Sequence, residues 1–165
     1  MRSILVALAI ALVPVGGWTA TPPQAQEIAA DHPVFVMRHL QKGEGADPSL
    51  TAEGAANAQH LAAMLKGKGI VAVFATPTRR AMETGEPLAK MLGIAVAPYD
   101  PAKPAILAAK VAAAGGPVLV VGHSNTVPDL VQLFGGARPA PLSEQDFGTV
   151  YAIEPGGEVV TAQVR

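Results

Sequence analysis

The chain has 165 residues, of which half are apolar and 15% are charged, and its formal net charge is −1. This composition excludes an intrinsically disordered chain, and the near-zero charge gives no overall attraction to nucleic acid or to an anionic membrane. Because the chain has no Cys, disulfides and thiolate metal sites are excluded as well. The length suits one domain with a sizeable core.

The first residues are typical of a targeting segment. Arg2 precedes the apolar run Ile4–Val13, and small residues follow it. This pattern indicates a secretory signal peptide, since the apolar run is about half of the ~20 residues that a membrane span needs. An uncleaved anchor or a buried first helix is the alternative. We expect a signal peptide over residues 1–20 with an undefined cleavage position, a flexible lead-in over 21–33, and a folded domain over 34–165.

Strand and helix patterns alternate along the first part of this domain. Val34–Met37 predicts a short buried strand. Residues 40–50, which include two Gly, one Pro and several charges, predict a loop. Thr51 is a suitable N-cap for a helix whose apolar residues repeat at helical spacing as far as Leu65. Ile70–Ala75 predicts a second buried strand.

The middle of the chain continues the alternation. Thr76-Pro77 predicts the beginning of a helix, with Thr as its cap and Pro at its first position, and Pro87 is expected to bend or break that helix. Ile94–Asp100 predicts a short strand, and Ala105–Ala114 predicts a helix.

The last part adds a strong strand, a helix and a hairpin. Val118–Val121 is the strand, and Thr126 and Asp129 have capping-box spacing at the beginning of the next helix. Thr149–Val164 predicts a hairpin that turns at Pro155-Gly156-Gly157. Strands that alternate with helices predict an α/β fold with three αβα layers, a mainly parallel sheet and a C-terminal hairpin.

Positively charged residues and histidines follow three of the predicted strands. Arg38-His39 follows the first strand, the segment Thr76–Arg80 follows the second, and His123 follows the third. Because sites in such sheets lie beyond the carboxyl ends of the strands, we expect these groups to converge. Arg side chains and helix N-termini suit a phosphate or a similar dianion.

The segment around Ser124 resembles the nucleophile elbow of serine hydrolases, G-x-S-x-G, but Thr126 stands where the last Gly belongs. No His follows Ser124, although His39 could serve as its base in another triad order. We therefore keep a serine hydrolase as an alternative, and expect instead that the backbone N–H of Ser124 lies near the pocket.

Four segments resemble those of the histidine phosphatases, the phosphoglycerate mutase-like superfamily. They are "VMRHLQKGE", "LTAEGAANAQHLA", "ATPTRRAMETGEPLAKMLG" and "VLVVGHSNTVPDLV", in the family order. The first is similar to the family's strand that ends in Arg-His, the third to its second-arginine segment and the fourth to its second-histidine segment, especially in small secreted-type members. The resemblance covers roughly residues 34–160 and implies a phosphoglycerate mutase-like fold.

The resemblance also implies residue roles. His39 would be the nucleophile that becomes phosphohistidine, and Arg38, Arg80 and His123 would hold the phosphoryl oxygens. An imidazole nitrogen is nucleophilic near neutral pH without a metal, and two Arg and a second imidazole can neutralise a transferring phosphoryl group. Ser124 and Lys42 are further candidates for substrate binding, whereas Arg79 is expected to lie on the surface.

Two departures concern the proton donor for the leaving group. Small family members often have Arg-His-Ala-Glu-Lys where this chain has Leu40 and Gln41 after His39, and an amide cannot donate a proton as a carboxylic acid does. The chain also lacks the long insertion that carries an acidic residue in larger members. Asp100 is the nearest candidate for that role; its alternative is a turn residue before Pro101.

These residues predict an exported, metal-independent phosphatase that hydrolyses a phosphate ester or phosphoramidate of a small molecule or protein. We expect no cofactor, no metal, no nucleic-acid partner and no stable membrane insertion after signal cleavage. A mutase is disfavoured because the short chain offers little from which to build a lid. The rival from another class is a non-catalytic anion-binding protein with the same pocket. The sequence leaves the substrate and the oligomeric state open.

Overall fold

A computed structural model of the chain describes residues 31–165. The predicted signal peptide and most of the lead-in therefore lie outside the described residues. The elements, in chain order, are β1 (Val34–Arg38), α1 (Ala52–Leu65), β2 (Ala72–Ala75), α2 (Arg79–Leu92), β3 (Val96–Pro98), α3 (Pro104–Ala112), β4 (Val118–Gly122), α4 (Val127–Leu133), β5 (Thr149–Ile153) and β6 (Val159–Gln163). No helix among the described residues is long and apolar enough to cross a membrane.

The strands form one six-stranded sheet in the order β3-β2-β4-β1-β5-β6. β1 pairs in parallel with β4, and β2 pairs in parallel with both β4 and β3. β5 runs antiparallel to β1 and forms the C-terminal hairpin with β6. The predicted α/β class and mainly parallel sheet are confirmed.

The sheet is covered on both faces, which explains why its strands are apolar without alternation. Phe35 and Met37 of β1 point into a core shared with α1 and α2. Val34 and Val36, the alternate residues of the same strand, point into a second core shared with α3 and α4. Burial of each such side chain contributes about 1.5–3 kcal/mol, so both layers stabilise β1 and hold its carboxyl end in place.

Helix α2 begins later than predicted and passes through its proline. Its N-cap is Thr78 and its first helical residue is Arg79, so the Thr76-Pro77 prediction is wrong. Thr76 instead lies before the helix, where its hydroxyl forms a hydrogen bond with the side chain of His123. Pro87 lies inside the helix without ending it, because the buried residues on either side of it hold the helix against the sheet: Thr84, Gly85, Leu88 and Ala89.

The predicted capping box at the beginning of α4 is not formed. Thr126 is the N-cap, but its side chain makes no capping hydrogen bond. Its hydroxyl instead accepts a hydrogen bond from the backbone N–H of His123, at 2.9 Å. This contact closes the turn between β4 and α4, and it needs Gly122, where a Cβ would lie only 2.7 Å from the Thr126 hydroxyl. By contrast, Thr51 caps α1 as predicted, by accepting from the N–H of Gly54.

Candidate active site

The carboxyl ends of β1, β2 and β4 lie at one edge of the sheet and bring the two histidines together. Arg38, the last residue of β1, pairs with Gly122, the last residue of β4. The backbone N–H of His39 donates to the carbonyl of Gly122 at 2.9 Å, which sets His39 beside His123. Their ring centres are 5.3 Å apart and the rings meet edge to face.

His39 is held as a neutral imidazole with one free nitrogen. Its side chain is buried, and Nδ1 lies 2.8 Å from the carbonyl oxygen of Leu40. A carbonyl can only accept, so Nδ1 carries the proton and Nε2 keeps its lone pair. Burial lowers the pKa of His39 to about 4, and the charges of Arg38 and Arg80 act in the same direction. The ring is therefore deprotonated at Nε2 near neutral pH, as a nucleophile requires.

The backbone after His39 is anchored to α2. The N–H of Leu40 donates to the hydroxyl of Thr84 at 3.0 Å, and that hydroxyl donates to the carbonyl of Arg80 at 2.7 Å. Leu40 itself is fully buried in the core shared with α1 and α2. The unexpected Leu at this position thus fills the core, and the Thr84 bridge ties the histidine turn to the helix that carries Arg80.

Arg38 is almost completely enclosed, with 3% of its surface exposed. Its Nη1 donates to the backbone carbonyls of Ser143, at 2.8 Å, and Asp146, at 3.3 Å, and its Nη2 donates to Glu144 at 3.0 Å. The guanidinium lies 4.2 Å from the ring centre of Phe147, in a cation–π contact. Burial lowers the pKa of Arg38 whereas Glu144 raises it, and an arginine with such partners stays charged.

Arg80, in the first turn of α2, is held more loosely. Its closest anionic contact is a single long ion pair, with 3.6 Å between Nη1 and the Asp47 carboxylate. The same carboxylate oxygen accepts from the backbone N–H of Arg79 at 3.0 Å, at the N-terminus of the helix. The side chain of Arg79 itself is 64% exposed and lies near Glu83, so it is a surface residue, as expected.

Both site arginines keep a buried donor unused. The Nε atoms of Arg38 and Arg80 are buried and have no hydrogen-bond partner among the described residues. Buried polar groups are normally satisfied, so two unpaired guanidinium N–H groups near one histidine indicate a place for an anionic ligand.

His123 supplies a second imidazole. Its Nε2 lies 2.8 Å from the hydroxyl of Thr76, which follows β2. Burial lowers the pKa of His123, and Arg80 and Arg38 lower it further. It is therefore neutral near pH 7, and a bound anion would favour its protonated form.

A segment that the sequence reasoning missed closes one side of the pocket. We call Ser143–Phe147 the acidic segment; it lies between α4 and β5. Glu144 bridges Arg38 and Ser124, whose hydroxyl donates to the carboxylate at 2.9 Å. The segment has no apolar periodicity; its only signal in the sequence is the combination of two acidic residues with Phe147.

The structure does not support Asp100 as the proton donor. Its carboxylate accepts from the backbone N–H of Ala102 at 2.9 Å and lies 3.3 Å from the ammonium of Lys103. These contacts lower the pKa of Asp100, so it holds no proton near neutral pH. The turn-residue alternative describes Asp100 better.

Gln41, Ser124 and Lys42 occupy distinct places. The side chain of Gln41 bonds to Glu53 and Asn57 and thereby joins its loop to α1. The hydroxyl of Ser124 bonds to Glu144 and to no histidine among residues 31–165, so no serine triad is assembled there. Lys42 lies near enough to lower the pKa of Glu144 and is thus at the same side of the pocket. Within the described residues no group of three or more His, Asp or Glu could hold a metal ion.

Comparison with known proteins confirms the class that the motifs indicated. Residues 36–101 match the sequence profile of the histidine phosphatase superfamily (branch 1). The matched segment contains the last three residues of β1, including Arg38, together with His39 and Arg80. The predicted resemblance to the histidine phosphatase superfamily is therefore confirmed over residues 36–101, whereas no curated protein matches the sequence significantly.

Several solved structures share the fold of this chain. A protein histidine phosphatase, SixA, complexed with tungstate, has 23% identity and a TM-score of 0.60, with 79% of this chain and 94% of that chain covered. A mycobacterial glucosyl-3-phosphoglycerate phosphatase in complex with inorganic phosphate has 15% identity and a TM-score of 0.59, covering 79% and 94%. YhfR of Bacillus stearothermophilus has 18% identity and a TM-score of 0.56, covering 80% and 96%. At these identities the matches establish the fold.

Proposed function

We propose that this protein is a metal-independent phosphatase that hydrolyses a phosphate ester or phosphoramidate through a phosphohistidine intermediate on His39. The observation that carries the proposal is the buried neutral imidazole, with Nε2 free, beside two arginines that each keep a buried N–H unpaired. Two of the structural neighbours are described as phosphatases, one holding tungstate and one inorganic phosphate, which supports an oxyanion as the ligand.

In the first step, Nε2 of His39 attacks phosphorus. The N–P bond forms while the bond from phosphorus to the leaving group breaks, and the leaving group departs with the electron pair. Arg38, Arg80 and His123 neutralise the equatorial oxygens of the phosphoryl group, where charge accumulates. Because Nδ1 donates to the carbonyl of Leu40, the positive charge that develops on the ring is stabilised by that contact.

In the second step, water attacks the phosphohistidine. The N–P bond breaks, its electron pair returns to Nε2, and inorganic phosphate leaves. Neutral His39 is regenerated, so the cycle needs no redox partner and no metal. The same cationic groups serve both steps, since each passes through a similar five-coordinate phosphoryl group.

The leaving group lacks an evident carboxylic acid donor. The carboxylates with shifted pKa values, Asp100, Glu144 and Asp146, are all shifted downward and are ionised near neutral pH. His123, once protonated beside a bound dianion, is the candidate donor. An alkoxide leaves poorly without a proton, so we expect aryl phosphates and phosphoramidates to be better substrates than alkyl phosphates.

We also propose that the protein acts outside the cytoplasm, as the basic and apolar start of the chain suggests. Fractionation of expressing cells would test this. The expected result is a processed chain in the periplasm or medium, and an intact N-terminus in the cytosol would contradict it.

Hydrolysis of 4-nitrophenyl phosphate by the full chain tests the reaction. His39→Ala should remove turnover, whereas His60→Ala, which changes an exposed histidine on α1, should leave it unchanged. Ser124→Ala should retain turnover that depends on His39, and EDTA should have little effect. Activity that survives His39→Ala but disappears in Ser124→Ala would establish the serine hydrolase. Phosphate binding without turnover in the parent would establish the anion-binding alternative.

A further inference from the structure

The carboxylate of Glu144 stands at the mouth of the pocket. Its side chain is 69% exposed, whereas its partner Arg38 is only 3% exposed. One carboxylate oxygen lies 3.0 Å from Nη2 of Arg38, and the other accepts from the hydroxyl of Ser124 at 2.9 Å. The carboxylate therefore spans from the end of β1 to the turn after β4, at the boundary between the buried site and solvent.

The position of this carboxylate is well determined although it is exposed. The backbone on either side of Glu144 is fixed, because the carbonyls of Ser143 and Asp146 both accept from Nη1 of Arg38. The N–H of Ser143 also donates to the carboxylate of Asp146 at 2.6 Å, which closes the turn. A charge held by backbone contacts and by both of its own oxygens loses little further freedom when a ligand binds.

The unpaired donors of the two site arginines are different atoms from the one that binds Glu144. The unpaired Nε atoms of Arg38 and Arg80 are buried and engaged by no acceptor among residues 31–165. A phosphoryl group bound by these donors would leave the bond between Nη2 of Arg38 and Glu144 intact. Because Glu144 is exposed beside Arg38, the group attached to phosphorus would then lie near its carboxylate.

We propose that Glu144 sets the substrate range of the site: it disfavours substrates that carry a second anionic group next to the phosphoryl group and favours those with a cationic or hydrogen-bond-donating group there. The inference rests on the proposed function, which orients the substrate with phosphorus at His39. Bisphosphates, nucleotides and phosphorylated carboxylic acids are the classes disfavoured. Asp146 adds negative charge at the same side, and Lys42 offsets part of it.

Three phosphonates that cannot be hydrolysed test the inference through binding alone. They are phenylphosphonates with a para carboxylate, a para carboxamide or a para aminomethyl group, titrated calorimetrically into the full chain. We expect the cationic ligand to bind roughly tenfold more tightly than the anionic one, as unit charges near a protein surface allow. Raising the salt concentration to 1 M should shrink this ratio, because the Debye length falls to about 3 Å.

Glu144→Gln keeps a side chain of similar size that can still form hydrogen bonds, and it removes the charge. It should therefore reduce the ratio of the affinities for the cationic and anionic ligands to about twofold or less. Glu158→Gln is the matched control. It makes the same change at an exposed position in the β5–β6 turn, at the opposite end of the sheet, and should leave the ratio as it is.

Three results would overturn the inference. An unchanged ratio in Glu144→Gln would show that the carboxylate does not discriminate. Equal tightening of all three ligands would show that Glu144 competes with the phosphoryl group itself. If no phosphonate binds the parent chain, the site takes no phosphoryl group and the inference falls too. If the parent chain shows the expected tenfold ratio of affinities and Glu144→Gln reduces it, but no phosphohistidine forms, only the proposed reaction is contradicted.

Discussion

Arg38 and Arg80 face the same pocket, yet they are held in very different ways. Arg38 ends a strand that is buried on both faces, and it is fixed by two carbonyls, a carboxylate and an aromatic ring. Arg80 lies in the first turn of a helix, is 18% exposed, and has one ion pair of 3.6 Å. One arginine is preorganised, whereas the other is free to adjust to a ligand.

This difference indicates that the two arginines have different roles in the site. Arg38 supplies positive charge and also positions the acidic segment, because its guanidinium attaches that segment to the end of β1. Arg80 contributes charge and donors alone, and its backbone is already fixed by α2 and by the Thr84 bridge. Substitution of Arg38 should therefore remove a positive charge and also detach the acidic segment, whereas substitution of Arg80 should remove only the charge and its donors.

The largest expected effect comes from comparing Arg38→Ala with Arg80→Ala. Removal of one donor to a developing anion costs about 10²–10³-fold in rate, which is the loss expected for Arg80→Ala in kcat/KM on 4-nitrophenyl phosphate. Arg38→Ala should lose roughly tenfold more, since the acidic segment also loses its anchor.

Arg38→Lys should not recover this loss, because an ammonium cannot reproduce a planar fork with acceptors on both sides. Arg79→Ala, beside Arg80 but on the surface, is the control and should retain the parent rate. Limited proteolysis gives a second readout: new cleavage within residues 137–148 is expected in Arg38→Ala and not in Arg80→Ala. Equal losses and equal proteolysis would remove the distinction between the two arginines.

A smaller effect concerns stability as a function of pH. The pKa of His39 is about 4 in the fold, below the ordinary value, so at intermediate pH the unfolded chain binds a proton that the folded protein excludes. The free energy of unfolding should therefore fall as the pH decreases from about 6.5 to 4, by up to about 1.4 kcal/mol per pH unit from this group. His123, whose pKa is also lowered, acts in the same direction.

Urea unfolding at several pH values measures this slope. His39→Gln should make it shallower, and saturating phosphate should reduce it in the parent because a bound anion favours the protonated rings. After burial, the charge of Arg38 lowers the pKa of His39 more than that of Arg80 does, so Arg38→Ala should flatten the slope more than Arg80→Ala. Identical slopes in the parent and His39→Gln would mean that His39 titrates normally.

The smallest effect concerns Asp47, the partner of Arg80. Exposed ion pairs contribute about 0–1 kcal/mol, so Asp47→Asn should tighten phosphate binding by only about twofold to threefold. The amide can still accept from the N–H of Arg79, so the beginning of α2 should be preserved. A large loss of phosphate affinity would instead assign Asp47 a part in positioning Arg80.

The sequence predicted the buried strands and the convergence of the residues that follow them, because these features depend on local apolar patterns and on burial of the sheet on both faces. Apolar strands such as Val118–Val121 can only be interior, and the residues after them must then meet at one edge. The beginning of α2 was missed because Thr76 and Thr78 are equally good caps by type, and only the contact with His123 decides between them. The helix is not broken at Pro87, because the residues around this proline pack against the sheet, which the sequence pattern alone does not reveal.

The acidic segment was missed for another reason. Its position depends on Arg38, a residue distant in sequence, and it has neither the periodicity of a helix nor that of a strand. Asp100 was the nearest candidate in the sequence to replace the acidic residue of the long insertion that this chain lacks. In the structure, the carboxylate of Asp100 accepts a hydrogen bond within its own turn, whereas Glu144 reaches the pocket from a loop.

The most direct test of the account is the chemistry of the phosphorylated enzyme. The full chain would be mixed with a ³²P-labelled aryl phosphate, quenched within milliseconds, and mapped by peptide mass spectrometry at high pH. The account predicts a label on His39 that is stable in base, lost in acid, and absent from His39→Ala. An acid-stable label on Ser124, or turnover with no label on His39, would contradict it.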